Sequence, residues 1–95
     1  MNKNIYKLVI IGKVQGVFYR AWLKETAQKI GLNGYVYNKI NGSVEALVIC
    51  KKDELDRLVK LCYEGSELSC VKKVEYFILN NFDFSNFSDR FFIKY

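Results

Sequence analysis

The sequence predicts one α+β domain over residues 1–95, in which an antiparallel sheet carries two helices on one face. Segments with the two-residue period of strands and segments of helical period follow each other in the order β-α-β-β-α-β. The 95 residues are 51% hydrophobic, which is enough for one modest core. Asn41-Gly42, between two strand-like segments, is a strong hairpin signal and fixes the middle of this order.

The first half of the chain divides into a strand, a helix and a hairpin. Ile5–Lys13 has a nearly continuous apolar run, which is typical of a central strand. Ala21–Ile30 repeats apolar residues at helical spacing, and a glycine follows it as a C-terminal stop. Gly34–Lys39 and Ser43–Cys50 predict the hairpin strands, and the Asn-Gly pair predicts a two-residue type I′ turn with positive φ at both positions.

The second half predicts a helix, a long strand and a short final strand. Lys52–Tyr63 has one apolar stripe and acidic residues in its first turn, which suit the helix dipole. Gly65–Ser69 is a loop, Cys70–Leu79 a strand, Asn80–Asp89 an irregular segment and Arg90–Tyr95 a short strand. This order is the ferredoxin-like split βαβ pattern, with a short C-terminal strand added to it.

Composition restricts the chemistry that the chain can use. The net charge of +5 fits an anionic partner but does not choose between a small and a large one. The chain has no histidine, and its cysteines, Cys50, Cys62 and Cys70, form no CxxC pair, so we expect neither a disulfide framework nor a metal site. Lysines interrupt the N-terminal apolar run, so we expect a core strand, no membrane partner and a cytoplasmic protein.

The stretch Gly12–Arg20 joins the first strand to the first helix. Backbone N–H groups in such a turn lack a strand or helix partner, and a helix N-terminus favours an anion. Arg20 adds a planar set of donors that suits a phosphate. The pattern therefore predicts a candidate phosphate cradle, although a tight turn beside a solvated arginine is the simpler alternative.

The split βαβ topology brings a second polar side chain to this turn. The first two strands run parallel with the third between them, so their carboxyl ends lie at one edge of the sheet. Gln15 to Arg20 follow the first of these ends, and Asn38 lies at the second. From the residues alone, Asn38 either serves this site or caps its own hairpin.

Two long motifs resemble those of the acylphosphatase family. Gly12–Arg20, with the letters GKVQGVFYR, looks like the family's first motif, and Gly34–Asn38 with Asn41–Glu45 looks like its second. The ending Phe87–Tyr95, which contains Arg90–Ile93, is similar to the family's C-terminal strand, so the resemblance covers essentially the whole chain. The chain departs from the family at Tyr19, where phenylalanine is usual, and lacks the usual prolines in the loop after the second helix.

The resemblance implies hydrolysis of the carboxyl-phosphate anhydride of acyl phosphates, without a metal or cofactor. It also implies that Arg20 binds the phosphate and that Asn38 orients the attacking water. The partner would be a small acyl phosphate, with no nucleic acid and no membrane, and we expect a monomer. The backbone N–H groups that would complete the cradle are those of Gln15, Gly16, Val17, Phe18 and Tyr19.

Two other functions remain open from the sequence. Sheets of this topology bind RNA through exposed aromatic residues, and Tyr35, Tyr37 and Leu47 are expected on the open face. The ribonucleoprotein aromatic motif is absent, however, and no basic stripe accompanies the aromatic residues. An accessory domain that has lost catalysis is the third possibility, and the presence of both Arg20 and Asn38 argues against it.

Overall fold

Strands and helices follow one another in the predicted order. The computed structural model describes residues 3–79 and 89–95, so nearly all of the segment predicted to be irregular, Asn80–Asp89, lies outside the described residues. Within the described ranges no helix is long and apolar enough to cross a membrane. The elements are β1 (Asn4–Lys13), α1 (Tyr19–Lys29), β2 (Asn33–Asn38), β3 (Val44–Cys50), α2 (Lys52–Glu64), β4 (Cys70–Leu79) and β5 (Phe91–Ile93).

The sheet has the strand order β4-β1-β3-β2-β5. β1 pairs antiparallel with β3 and β4, and β2 pairs antiparallel with β3, as the sequence predicts. β5 pairs with the other edge of β2 and runs parallel to it, so the sheet is mixed rather than wholly antiparallel. Because β3 lies between β1 and β2, the carboxyl ends of β1 and β2 lie at the same edge of the sheet.

The core lies between the sheet and the two helices. Cys50 and Cys62 are fully buried in it, and burial raises the pKa of both thiols to about 12, so they stay neutral. Cys70, by contrast, is exposed. The fully buried side chains of the helices and of β3 include Leu23, Ala27, Leu55, Leu58, Val44, Ala46 and Val48.

Local hydrogen bonds set the helix ends. After α1, Gly31 adopts a positive φ of 76°, its N–H bonds the Gln28 carbonyl, and the Leu32 N–H bonds the Ala27 carbonyl, which is a Schellman ending. At the start of α2, the Lys51 N–H donates to Glu54 Oε1 at 2.9 Å. The glycine therefore stops α1 where the sequence predicts, within one residue.

The β2–β3 hairpin corrects one prediction. The Lys39 N–H bonds the Ser43 carbonyl at 2.9 Å, so the loop has three residues rather than two. Gly42 has a φ of 95°, but Asn41 does not adopt a positive φ, so the prediction of a type I′ turn is wrong. Asn41 Oδ1 instead accepts hydrogen bonds from Ser43 N and Ser43 Oγ. These bonds form a side-chain turn, which the Asn-Gly pair did not predict.

Candidate active site

The loop between β1 and α1, residues 14–18 (the cradle loop), begins at a bulge in β1. The register of β1 against β4 shifts between Ile11 and Gly12. A Cβ at Gly12 would collide with the Cys70 carbonyl oxygen, so only glycine lets the two backbones come this close. Val14 and Val17 are buried in the core, and they hold the loop against the sheet.

The backbone of the cradle loop carries N–H donors that have no partner among the described residues. Gly16 and Phe18 have positive φ values of 73° and 60°, and alternation of this kind makes concave anion sites from successive N–H groups. The backbone of Phe18 is strained in this left-handed conformation. Its side chain is 79% exposed, so packing of that side chain does not compensate for the strain. Within the described part of the chain, none of the N–H groups of residues 15–19 donates a hydrogen bond.

Gln15 ties the cradle loop to the β2–β3 hairpin through its side chain. Its Nε2 donates to the Lys39 carbonyl at 2.7 Å and to the Ser43 carbonyl at 2.8 Å, which uses both of its N–H groups. Lys39 directly follows Asn38, so this pair of bonds fixes the loop beside the end of β2. The sequence places Gln15 in the loop, but it gives no sign of this side-chain role.

The loop after α2 also holds the cradle loop. Ser66 is buried, and its Oγ donates to the Val17 carbonyl at 2.9 Å. Ser69 in turn donates to the Ser66 carbonyl through both its N–H, at 3.1 Å, and its Oγ, at 2.8 Å. Hydrogen bonds thus tie down this segment, which lacks the prolines that the family resemblance led us to expect.

Tyr19 anchors the start of α1. Its ring is buried, and its hydroxyl donates to the Cys62 carbonyl on α2 at 2.8 Å. Burial first, and then the contact with Cys62, raise the pKa of Tyr19 well above its usual value, so the hydroxyl stays a donor. The bond couples the helix that carries Arg20 to the rest of the core.

Tyr19→Phe is expected to lower the free energy of unfolding by about 1–2 kcal/mol, because the buried Cys62 carbonyl loses its partner. Urea denaturation measures this change. Tyr63→Phe is the control, since the Tyr63 hydroxyl accepts from the Val74 N–H at a half-exposed position where water can replace it. Equal stability losses in the two variants would contradict the role given to the buried bond.

Arg20 and Asn38 line one cavity of about 410 Å³. Arg20 lies in the first turn of α1, and Asn38 is the last residue of β2, so the shared sheet edge brings them together as predicted. A neighbouring cavity of about 300 Å³ is lined by Arg20 with Gly16, Phe18 and Tyr19. Arg20 thus lies between the cradle loop and the cavity that contains Asn38.

Among the described residues, Arg20 has no carboxylate partner and the Asn38 side chain has no hydrogen-bond partner. The Arg20 guanidinium carbon lies 5.3 Å from the centre of the exposed Tyr95 ring, and no described carboxylate pairs with it. The Asn38 side chain is exposed and makes no hydrogen bond with the described residues. Asn41 caps the hairpin instead, so the alternative in which Asn38 does so is wrong.

The rest of the cavity lining is aromatic and basic. Tyr37 donates its hydroxyl to Glu45 Oε1 at 2.7 Å, and burial followed by this bond raises the Tyr37 pKa. Among residues 3–79 and 89–95 there is no group of three or more cysteine, aspartate or glutamate side chains that could hold a metal ion. The lining residues whose place at the site the sequence does not reveal are Tyr35, Tyr37, Lys94 and Tyr95.

The amino-acid sequence of this chain is similar to that of known proteins. The family profile described as Acylphosphatase matches residues 6–89. An acylphosphatase of Albidiferax ferrireducens is 43% identical over 72 residues, which is 76% of this chain and 78% of that protein.

Solved structures give the same result for the fold. The crystal structure of acylphosphatase from Bacillus subtilis superimposes with a TM-score of 0.85 at 30% identity, over 96% of this chain and 98% of that one. The structure of an acylphosphatase from Coxiella burnetii gives a TM-score of 0.84 at 28% identity, over 98% and 94% of the two chains.

Proposed function

The chain belongs to the acylphosphatase family and hydrolyses acyl phosphates, and we propose that Arg20, Asn38 and the cradle loop carry out this reaction. The observation that carries the proposal is the cavity that Arg20 and Asn38 line together, next to the N–H groups of residues 15–19, which have no hydrogen-bond partner among the described residues.

The phosphoryl group of the substrate binds between the cradle loop and Arg20. Backbone N–H groups at the start of α1 favour an anion, and the guanidinium offers parallel donors to two phosphoryl oxygens. The hydrogen bonds of Gln15 and Ser66 hold the loop in place before the substrate arrives. Donors that are fixed in advance need no reorganisation as charge spreads over the phosphoryl oxygens in the transition state.

Asn38 positions the attacking water. An amide offers both a carbonyl acceptor and N–H donors, so it orients water by hydrogen bonds, but it is too weak a base to take the proton. The water oxygen bonds to phosphorus while the bond from phosphorus to the acyl oxygen breaks, and the carboxylate leaves with the electron pair. One water proton passes to a phosphoryl oxygen, so RCOOPO₃²⁻ and water yield RCOO⁻ and H₂PO₄⁻.

Hydrolysis of benzoyl phosphate, beside that of p-nitrophenyl phosphate, tests this mechanism. The mechanism relies on a carboxylate leaving group, so the acyl phosphate is expected to react and the phosphate monoester to remain nearly inert. Inorganic phosphate is expected to compete with benzoyl phosphate, since both occupy the cradle. Equal rates on the two substrates, or no competition by phosphate, would refute the proposed site chemistry.

Gln15→Ala is expected to lower kcat/KM for benzoyl phosphate about tenfold. The two lost hydrogen bonds let the cradle loop move away from the end of β2, and each bond is worth about 0.5–1.5 kcal/mol. A positioning role predicts that the phosphate inhibition constant rises as well, because the N–H groups are no longer fixed.

Gln28→Ala is the matched control for Gln15. Gln28 Nε2 donates to the Phe91 carbonyl at 2.9 Å, which is the same kind of bond between α1 and β5, but the residue lines neither site cavity. Gln15→Ala is expected to lose somewhat more stability in urea than Gln28→Ala, because it loses two hydrogen bonds and Gln28→Ala loses one. If Gln15→Ala keeps kcat/KM within twofold of Gln28→Ala, Gln15 has only a structural role.

A further inference from the structure

The acyl side of the cavity indicates which acyl groups the enzyme takes, if the proposed function holds. With the phosphoryl group at Arg20, the acyl group extends over the remaining lining residues. The Tyr35 and Tyr37 rings lie side by side with centres 6.0 Å apart and planes 37° apart, and both are half-buried. They form an apolar wall against which an acyl chain or ring packs.

Lys94 adds a positive charge to this wall. Its Nζ lies 5.0 Å from the centre of the Tyr35 ring, and its backbone N–H donates to the Val36 carbonyl at 2.9 Å, which fixes the residue beside β2. Among the described residues no carboxylate lies within ion-pair distance of Lys94. The ammonium group therefore keeps its hydrogen-bond donors available on the cavity side of the sheet.

Among the described residues, the cavity lining has no acidic side chain that would neutralise this charge. Of the described residues that line the cavity, two are cations, three are tyrosines and one is an amide. Glu45 is the neighbouring acid, and it already accepts the hydroxyl hydrogen bond of Tyr37. Burial raises the pKa of both Tyr35 and Tyr37, so neither ring supplies a negative charge at neutral pH.

We propose that the enzyme favours acyl phosphates that carry a second anionic group, a carboxylate or a phosphate, and that Lys94 binds this group. One anion, the phosphoryl group, then occupies Arg20 and the cradle loop, while the other binds the Lys94 ammonium group beside the Tyr35 ring. The apolar part of the acyl group spans the tyrosines between them. Because the described lining has two separated cations and no acidic side chain, it selects against acyl groups that bear a positive charge.

The test compares 3- and 4-carboxybenzoyl phosphate with their carbamoyl analogues, which have nearly the same shape but no charge. The rigid ring keeps the carboxylate from attacking its own anhydride. The measured quantity is the ratio of kcat/KM for the carboxylate over the amide, taken for each position of the ring. Lys94→Gln is expected to lower this ratio about fivefold for at least one position, mainly by changing KM. A change of this size corresponds to the free energy of a solvent-exposed ion pair.

Three controls make the result specific. Lys94→Arg keeps the charge and is expected to keep the ratio. Lys52→Gln removes a lysine that also lies over a tyrosine ring, 5.5 Å from the centre of Tyr76, but outside the cavity, and is expected to leave the ratio unchanged. Added salt is expected to lower the ratio in the unmodified enzyme, because it screens an exposed charge pair.

The inference is overturned if the ratios measured for Lys94→Gln equal those of the unmodified enzyme. It is also overturned if the ratio of the unmodified enzyme does not respond to salt. Arg20→Ala in the same assay keeps this failure separate from that of the proposed function. An active Arg20→Ala refutes the site itself. An inactive Arg20→Ala beside an unchanged Lys94→Gln ratio refutes only the role of Lys94.

Discussion

Arg20→Ala is expected to lower kcat/KM for benzoyl phosphate by about 10²- to 10³-fold or more, which is the cost of removing a fixed donor to a developing anion. The loss has two parts. The substrate phosphate loses the paired donors that bind it, which raises KM, and the transition state loses the same donors while its oxygens carry redistributed charge, which lowers kcat. The chain has no histidine that would take over either part.

Arg20→Lys separates charge from geometry. A lysine keeps the positive charge but offers an ammonium group in place of the planar set of donors, so an intermediate activity is expected. Arg57→Ala is the matched control, because Arg57 is exposed on α2 and lines neither site cavity. Thermal unfolding checks the fold of each variant, since Arg20→Ala also loses the contact with the Tyr95 ring. A folded Arg20→Ala with near-normal activity would end the proposal.

The sheet topology could be predicted because each strand carries its own pattern. The apolar run of β1 and the alternating strands of the hairpin place β3 between β1 and β2, and this order alone brings the end of β1 and Asn38 to one edge. Cys70–Leu79 was predicted with the bounds that the structure gives to β4. Where local periodicity and turn residues decide the structure, the sequence is sufficient.

The parts that escaped prediction depend on contacts between distant residues. Nothing in the short C-terminal segment indicates that β5 runs parallel to β2, and this pairing is what brings Lys94 and Tyr95 to the cavity. The Gln15 side chain bonds residues 24 and 28 positions away, and Tyr19 bonds one 43 positions away. Side-chain bonds of this kind have no period or spacing in the sequence.

Asn38→Ala is expected to lower kcat for benzoyl phosphate about 10²-fold, while the inhibition constant for inorganic phosphate changes by less than about threefold. The asymmetry follows from the role of the residue. A group that orients water by hydrogen bonds acts on the attacking nucleophile, and its loss leaves the cradle loop and Arg20 free to bind phosphate. The Asn38 amide makes no hydrogen bond with the described residues, so its removal leaves no described partner unpaired.

Asn41→Ala is the control that distinguishes this role from a general effect on the hairpin. Asn41 lies three positions further on and accepts two hydrogen bonds from Ser43, at 3.0 and 2.7 Å. Its removal is expected to lower the free energy of unfolding by about 1 kcal/mol with little effect on kcat. A large loss of phosphate affinity in Asn38→Ala would assign Asn38 to binding. Equal kcat values in the two variants would mean that the cradle loop and Arg20 orient the water without Asn38.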